Sequence, residues 1–580
     1  MDTPTARVGP TAPPRFPAWF VMCCMLGAAL VAADRWRFSI PVTYDMGIQL
    51  NGAQYLLREG RLLSDHFATQ GPDLLTPPEP VPLTWFPGGF SMVISWMLAD
   101  GLPLPIALKS LDSVCLAVGW LGWALAGAQL LAALGPLARW HGALACLLGF
   151  FFPFTLSAWA GGTEGTLWAI SPWVALLTPW LFAESWRWPL ASVGAGLLTG
   201  LALNFRYAAA YLALAWGLSI ALLLRRNWRR ALAAGLLFAC VMLLCYAPVL
   251  LFNASAHHGG IAPPHDYQAF SWAFLLARLQ GVLGAFTKSA CLLGLAPLDA
   301  RLDAVPAGPD RMLAGAILLV SLVATLALVG GAVLRDATPS RLKAWSLLTL
   351  SAGVTFFLVP PSLGMAYNAL GDGRYYMPAI VAVPLLLLSL PALPRGRFLG
   401  SAALLGFAGV FLHDIALARK WDEGSFPLNQ SAARSPIELC SLPTYWSKQL
   451  PWKVELEVLR PQFATDSFLA AARPFEAQHP DAIRFVQLPP YFQYNETHSP
   501  YRKLPRQEYW YTATAPRATE LLIYVRNQGE EIHEPPPGAQ PLHLSDHLKP
   551  VKLLEAQGWA LFLLSVPAST PFFLHPVPQS

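Results

Sequence analysis

The sequence predicts a mainly α, polytopic membrane protein of about 11–13 transmembrane helices with a small α/β or β domain outside the membrane at its C-terminal end. Three observations predict it. The 580 residues are 55% hydrophobic and only 13% charged, with a mean hydropathy of +0.44. Apolar runs of spanning length recur as far as residue 416, a pattern that soluble domains do not show. Beyond that point the chain turns Pro-rich and mixed in charge. The expected organisation is therefore a membrane domain over 1–416, with a first external loop at 34–86, and a soluble external domain over 417–580.

Met1–Phe16 carries Arg7 and Arg15 ahead of the first apolar run, as an uncleaved first helix with a cytoplasmic N-terminus does. The apolar runs fall at 17–33, 87–99, 112–134, 140–158, 166–183, 189–204, 207–224, 231–252, 312–334, 343–360, 376–394 and 398–416. Strict alternation through all of them leaves Arg225-Arg-Asn-Trp-Arg-Arg230 outside, against the rule that cytoplasmic loops hold the positive charge. The run Phe86–Leu98 repairs this. It is short of the roughly 20 residues that cross the hydrocarbon, so it reads as a non-crossing or half-inserted helix. Eleven crossings remain. Arg139, Arg187, Arg225–Arg230, Arg335 with Arg341 and Lys343, and Arg395 with Arg397 then all face the cytoplasm.

The net charge of +5 is no nucleic-acid signal, because the arginines lie between spans where they set topology. The eight cysteines form no CxxC. Seven lie in or near apolar segments and read as small packing residues. Cys440 stands alone in the tail.

The same topology gathers Asp45, Glu164, Arg206, the loop Asn253–Arg311 and Arg374 on the external side. Asp45 follows the first span in Tyr44-Asp-Met-Gly-Ile-Gln-Leu-Asn-Gly-Ala-Gln-Tyr-Leu-Leu-Arg-Glu-Gly60. A carboxylate there is placed to take a proton from an acceptor arriving through water while a donor stays in lipid. Ile48, Tyr55, Leu56 and Leu57 predict an amphipathic helix in the interface. Leu83-Thr-Trp-Phe-Pro-Gly-Gly-Phe90 breaks the chain at Pro87-Gly88 as it re-enters the membrane, with Trp85 suited to the interface. Glu164 lies among glycines between two apolar runs, where an ionisable group is costly. It can serve as a second acid, orient the acceptor, or join Asp45 on a divalent metal ion. Arg206 stands at a break between two short helices and Arg374 where a span begins. A guanidinium in such a place suits a phosphate or snorkels to headgroups. Lys288 is a further candidate phosphate contact. Tyr44, Tyr55, Trp85 and Tyr375 are the candidate acceptor or sugar contacts. His257, His258 and His265 have no metal-type spacing.

In the tail, Val454–Leu459, Ile483–Leu488, Leu521–Arg526 and Trp559–Val566 read as strands. The aromatic runs Pro489–Asn495 and Tyr509–Tyr511 either stack on sugars or pack internally.

Taken in order, the acid at Asp45 followed by Ala53–Gly60, the re-entry at Pro87-Gly88, Thr163-Glu164, the Gly-Leu-x-x-Gly-Leu-Ala pattern ending at Arg206, and Arg374-Tyr375 to Pro378 resemble the GT-C glycosyltransferases. The branch is that of the protein O-mannosyltransferases and lipid A aminoarabinose transferases. The resemblance implies inverting transfer of a sugar from a polyprenyl-phosphate donor, with no nucleotide sugar, to a lipid, glycan or protein acceptor at the external face of the cytoplasmic membrane. It implies Asp45 as general base, Glu164 as second acid, and Arg206 and Arg374 at the donor phosphate. Two departures stand out: Met46 where relatives have a second acid, and Thr84-Trp85-Phe86 where the aminoarabinose transferases have an acid before the re-entrant proline. A transporter or flippase of lipid-linked sugars, or a non-catalytic scaffold of the same fold, remain the alternative readings.

Overall fold

The computed structural model describes residues 16–36, 44–65, 79–131, 163–182, 186–225 and 227–256 of the membrane domain, with Lys343, Leu347, Leu348 and Ser351. In the tail it describes 468–486, 501–503, 510–512, 518–526, 542–556, 559–568 and 571–576. The expected spans at 140–158, 312–334, 376–394 and 398–416, most of 343–360, the strand at 454–459 and the boundary at 416 lie outside these residues.

Among the described residues, five helical segments are long and apolar enough to cross a membrane: Ile106–Gln129, Gly165–Phe182, Trp188–Phe205, Tyr207–Leu224 and Trp228–Ala256. Helix α1, Ala18–Trp36, occupies the first expected span. It packs Phe20 and Cys24 against Ala124, Leu125 and Ala128, while Met22, Met25, Leu26 and Leu30 point outward, as a lipid-facing surface requires.

Helix α2, Tyr44–Glu59, follows, then the two-residue strands β1 (Leu63–Ser64) and β2 (Val81–Pro82), which pair antiparallel. Helix α3, Gly89–Ala99, is 11 residues long, about 16 Å at helical rise and half of a hydrocarbon crossing. This agrees with the half-inserted reading. The chain turns at Gly101, whose φ of +85° suits glycine, and continues as α4, Leu104–Leu131. The expected span at 112–134 thus starts about two turns earlier than its apolar run suggests.

Helix α5, Thr163–Phe182, runs parallel to α4: Cys115 Sγ meets Thr166 Oγ1 at 3.7 Å, and Gln129 Nε2 donates to Leu176 O at 3.5 Å. Helix α6, Trp188–Phe205, is followed by a 3-10 turn at Tyr207–Ala209 and α7, Ala210–Leu224. Helix α8, Trp228–Ala256, lies parallel to α6. Small residues allow that approach. A Cβ on Gly196 would stand 2.7 Å from Phe238 O, and one on Gly200 would stand 2.8 Å from Met242 O.

The two ends of this bundle differ in chemistry. At one end, Arg230 Nη2 donates to Leu181 O at 2.7 Å, capping α5 where cations are favoured. Arg187 lies over Trp180 and Arg230 over Trp188. Trp186 and Trp228 are exposed beside them. The opposite end carries Arg206 and Asn253.

In the tail a mixed five-stranded sheet has the order β4-β3-β6-β9-β8. It comprises β3 (Ile483–Val486), β4 (Tyr501–Lys503), β6 (Thr519–Arg526), β8 (Val551–Ala556) and β9 (Trp559–Val566). Strand β3 is parallel to β4 and β6, and β9 is antiparallel to β6 and β8. The two-residue period of β6 puts Leu521, Ile523 and Val525 into one core. Leu522 and Tyr524 enter the other, with Phe468 and Ala472 of a helix at 468–478, α9. A second sheet orders β5 (Trp510–Thr512), β10 (Pro571–Pro576) and β7 (Leu542–Leu544) as β5-β10-β7. The fold of the tail is α/β.

Candidate functional site

The Arg206 end of the bundle is assembled from four pieces of chain. The first is α2. Its sequence predicts one wet face, yet Met46 through Tyr55 are all buried, including Gln49, Asn51 and Gln54. This corrects the amphipathic-helix expectation: among the described side chains of α2, only Leu57 to Glu59 at its end are exposed. The reason is packing on two sides. Met46, Leu50 and Ala53 share a core with Phe90 and Ile94 of α3, Leu104, Ala107 and Leu108 of α4, and Phe205 of α6. Ile48 joins Leu62, Leu83 and Phe86, with Trp85 and Phe252 packed against them. Ser91 Oγ donates to Gln49 O at 2.7 Å.

The second piece is the re-entrant segment. Gly89 opens α3 directly against α6, where a Cβ would stand 2.4 Å from Asn204 O. The third is the α6–α7 break. Asn204 Nδ2 donates to Gly200 O at 2.7 Å and to Cys245 O at 2.9 Å, fastening α6 to α8. Arg206 then takes an extended backbone, φ −151° and ψ 127°. Its residue is 8% exposed, and its guanidinium lies 5.5 Å from the centroid of the Phe86 ring, a cation–π distance. The break expected at Arg206 is therefore present, and the side chain turns inward. The fourth piece is the end of α8. Tyr207 Oη donates to Thr84 O at 2.9 Å and accepts from Asn253 Nδ2 at 3.0 Å. One hydroxyl thus ties the re-entrant segment, the break and α8 together. Tyr207→Phe leaves the buried Thr84 carbonyl and Asn253 amide without that partner, a loss of about 1–3 kcal/mol. Thermal unfolding of the purified variant should show it, and an unchanged midpoint would mean that the tie is incidental.

The side chains of Tyr44, Asp45 and Glu164 lie outside the described residues, so backbone position locates them. Asp45 is the second residue of α2, where the helix dipole favours a carboxylate. Met46, beside it, and Phe205, beside Arg206, belong to one core. The structure therefore brings the Asp45 and Arg206 backbones to the same cluster. Glu164 is the second residue of α5, whose Ser171 meets Tyr211 in the first turn of α7. Trp85 is half-buried at the site. Arg374, Lys288 and Tyr375 lie outside the described residues. Among those described, no three His, Cys, Asp or Glu residues converge, and a divalent ion at Asp45 and Glu164 would draw on those two carboxylates.

Three participants were not singled out by the sequence reading. Asp65 accepts from Tyr55 Oη and Asn51 Nδ2, and its N–H donates to Asn51 Oδ1 at 3.0 Å. Burial first, then the bond to Asp65 and its charge, push the Tyr55 phenol far above its ordinary pKa, with Arg58 opposing. The Tyr55 hydroxyl, expected at an acceptor, is held by Asp65. Asn204 and Asn253, amides closing apolar helices, were the detectable signals for the other contacts.

No family model matches the chain, and no curated protein matches it. Among solved structures it is similar to ArnT from Cupriavidus metallidurans bound to undecaprenyl phosphate. The TM-score is 0.50 and the identity 11%, with 94% of this chain and 98% of that chain covered. The same protein in the apo state aligns at a TM-score of 0.49 and 13% identity over the same shares. At such identity the likeness is one of architecture, and the chain has an ArnT-like polytopic membrane fold.

Proposed function

We propose that this protein is a membrane glycosyltransferase that moves a sugar from a polyprenyl-phosphate donor to an acceptor at the external face of the cytoplasmic membrane. The observation that carries the reading is the convergence, at one end of the bundle, of the acid-bearing start of α2, the re-entrant segment and the buried guanidinium of Arg206. The arginine and tryptophan belt at the opposite end supports a cytoplasmic placement of that end, which leaves the Arg206 end outside. The fold likeness to a protein solved with undecaprenyl phosphate bound supports a lipid-phosphate donor.

In this mechanism the acceptor hydroxyl attacks the anomeric carbon from the face opposite the phosphate. Asp45 takes the hydroxyl proton as the new C–O bond forms. The bond from the anomeric carbon to the phosphate oxygen breaks, and its electron pair leaves with the lipid phosphate, so configuration inverts. The leaving group is already a stabilised anion, and positive charge on its oxygens matters more than a proton donor. Arg206 supplies that charge, with Arg374 and Lys288 as further candidates. Glu164 acts as the second acid, orienting the acceptor.

Mass spectrometry of envelope lipids and glycans, from cells with and without the protein, tests the reaction. A glycoconjugate that depends on the protein is expected, and identical profiles would remove the reading. Arg206→Ala is expected to weaken undecaprenyl-phosphate binding roughly tenfold, the size of one good charge-assisted contact. Unchanged affinity would take Arg206 out of the donor site.

A further inference from the structure

Asn51 and Tyr55 are four residues apart, so both side chains leave α2 on the same face. Both end on Asp65, the residue after β1. Asn51 and Asp65 exchange two hydrogen bonds, one at 3.0 Å into the amide oxygen and one at 3.4 Å back to the carboxylate. The Tyr55 hydroxyl holds the other carboxylate oxygen. The Arg58 guanidinium covers the Tyr55 ring at 4.7 Å from its centroid. From another direction Ser91 Oγ holds the Gln49 carbonyl, and the apolar core holds Met46, Leu50 and Ala53. The hydrophobic term is non-directional and does not by itself select one rotation of a helix. The hydrogen bonds to Asp65 are directional and select one rotation.

We propose that Asp65 is a positioning residue, which clasps Asn51 and Tyr55 and so sets the rotation of α2 and with it the aim of Asp45. This rests on the proposed transfer reaction. Asp45 lies six residues before Asn51, about 9 Å along the helix. A side-chain carboxyl stands roughly 6 Å off the axis, so a rotation of about 20° displaces it by about 2 Å. Misplacing a reacting group by about 1 Å is enough to cost 10²-fold in rate. The Tyr55 phenol, driven high by burial and by Asp65, stays a donor throughout the range where the protein works.

The test uses the full-length protein in lipid nanodiscs, with transfer read by mass spectrometry and undecaprenyl phosphate as the binding probe. Asp65→Ala is expected to lower turnover about 10- to 100-fold while undecaprenyl-phosphate affinity stays within about twofold, because the clasp does not touch the Arg206 break. Asp65→Asn, which keeps an oxygen for Tyr55, recovers most of the loss. Tyr55→Phe loses part of the turnover, and the double variant Tyr55→Phe/Asp65→Ala is no worse than Asp65→Ala, as members of one unit behave. Hydrogen exchange over residues 44–55 rises in Asp65→Ala and stays unchanged in α4–α8, and Tyr55→Phe carries the same readouts should the alanine variant not fold. Turnover equal to the parent, a parallel loss of donor affinity, or additive losses would each overturn the proposal. Failure of the reaction itself looks different. The parent protein then yields no glycoconjugate that depends on it, whereas a failed clasp leaves the parent active, Asp45→Asn inactive and Asp65→Ala active.

Discussion

Asp45→Asn is expected to reduce glycosyl transfer by about 10²–10⁴-fold, the usual contribution of a positioned general base. The substitution keeps the size of the side chain and removes its capacity to take a proton. Met46 and Leu50 stay in the core they share with Phe205, so α2 keeps its place. The Arg206 break is untouched, and undecaprenyl-phosphate affinity should match that of the parent. Turnover and donor binding thus separate, as expected for a group that acts in the transition state alone. Glycan and lipid profiles from cells carrying the variant, with a binding titration of the purified protein, give both numbers. A variant that still makes the product would show that another group takes the proton. A variant that loses product and donor affinity together would show that Asp45 holds the donor instead.

Gly89→Ala is expected to be the most damaging small change at the site. The added carbon would lie 2.4 Å from the carbonyl oxygen of Asn204 and 2.9 Å from its carbonyl carbon. These are backbone atoms that no rotamer moves. Asn204 is fixed by its amide bonds to α6 and α8. Helix α3 is fixed by Phe90 and Ile94 in the core and by Ser91 on Gln49. One backbone has to shift, and overpacking of this kind costs about 1–3 kcal/mol. The shift falls two residues from Arg206 and three from Phe86, so donor affinity should fall roughly tenfold alongside stability. Gly217→Ala is the control. It lies in α7 with nothing within 4 Å of the added carbon, and should be neutral or gain about 0.5–1 kcal/mol from helix propensity. Equal thermal midpoints for the two variants would contradict the close contact.

Several elements were legible because a local pattern is enough to form them. A long apolar run in lipid has no alternative to a helix, since every backbone group must find its partner within the segment. The expected runs at 166–183, 189–204, 207–224 and 231–252 accordingly appear as helices within a few residues. Phe86–Leu98 was too short to cross, and α3 ends after 11 residues. The break at Arg206 was visible from an arginine between two apolar runs. The strands 521–526 and 559–566 followed from short, near-continuous apolar runs containing aromatic and β-branched residues. Helix α4 began early because Leu104, Ala107 and Leu108 are covered by α2 and α3, contacts that no window centred on 112 contains.

By itself the sequence determined that this is a multi-span membrane protein with an appended unit that is α/β or β, which end of each helix carries the arginines, and which ionisable residues stand at span boundaries. These are consequences of hydropathy, charge and periodicity along the chain. Tertiary structure alone decided that α2 is buried on its polar face, that Arg206 turns inward over Phe86, and that Asp65 holds Asn51 and Tyr55. Each of these depends on partners 10 or more residues away in the chain. A polar side chain among apolar ones reads as a wet face until the group that satisfies its hydrogen bonds is known, and that group is chosen by packing rather than by its neighbours in sequence.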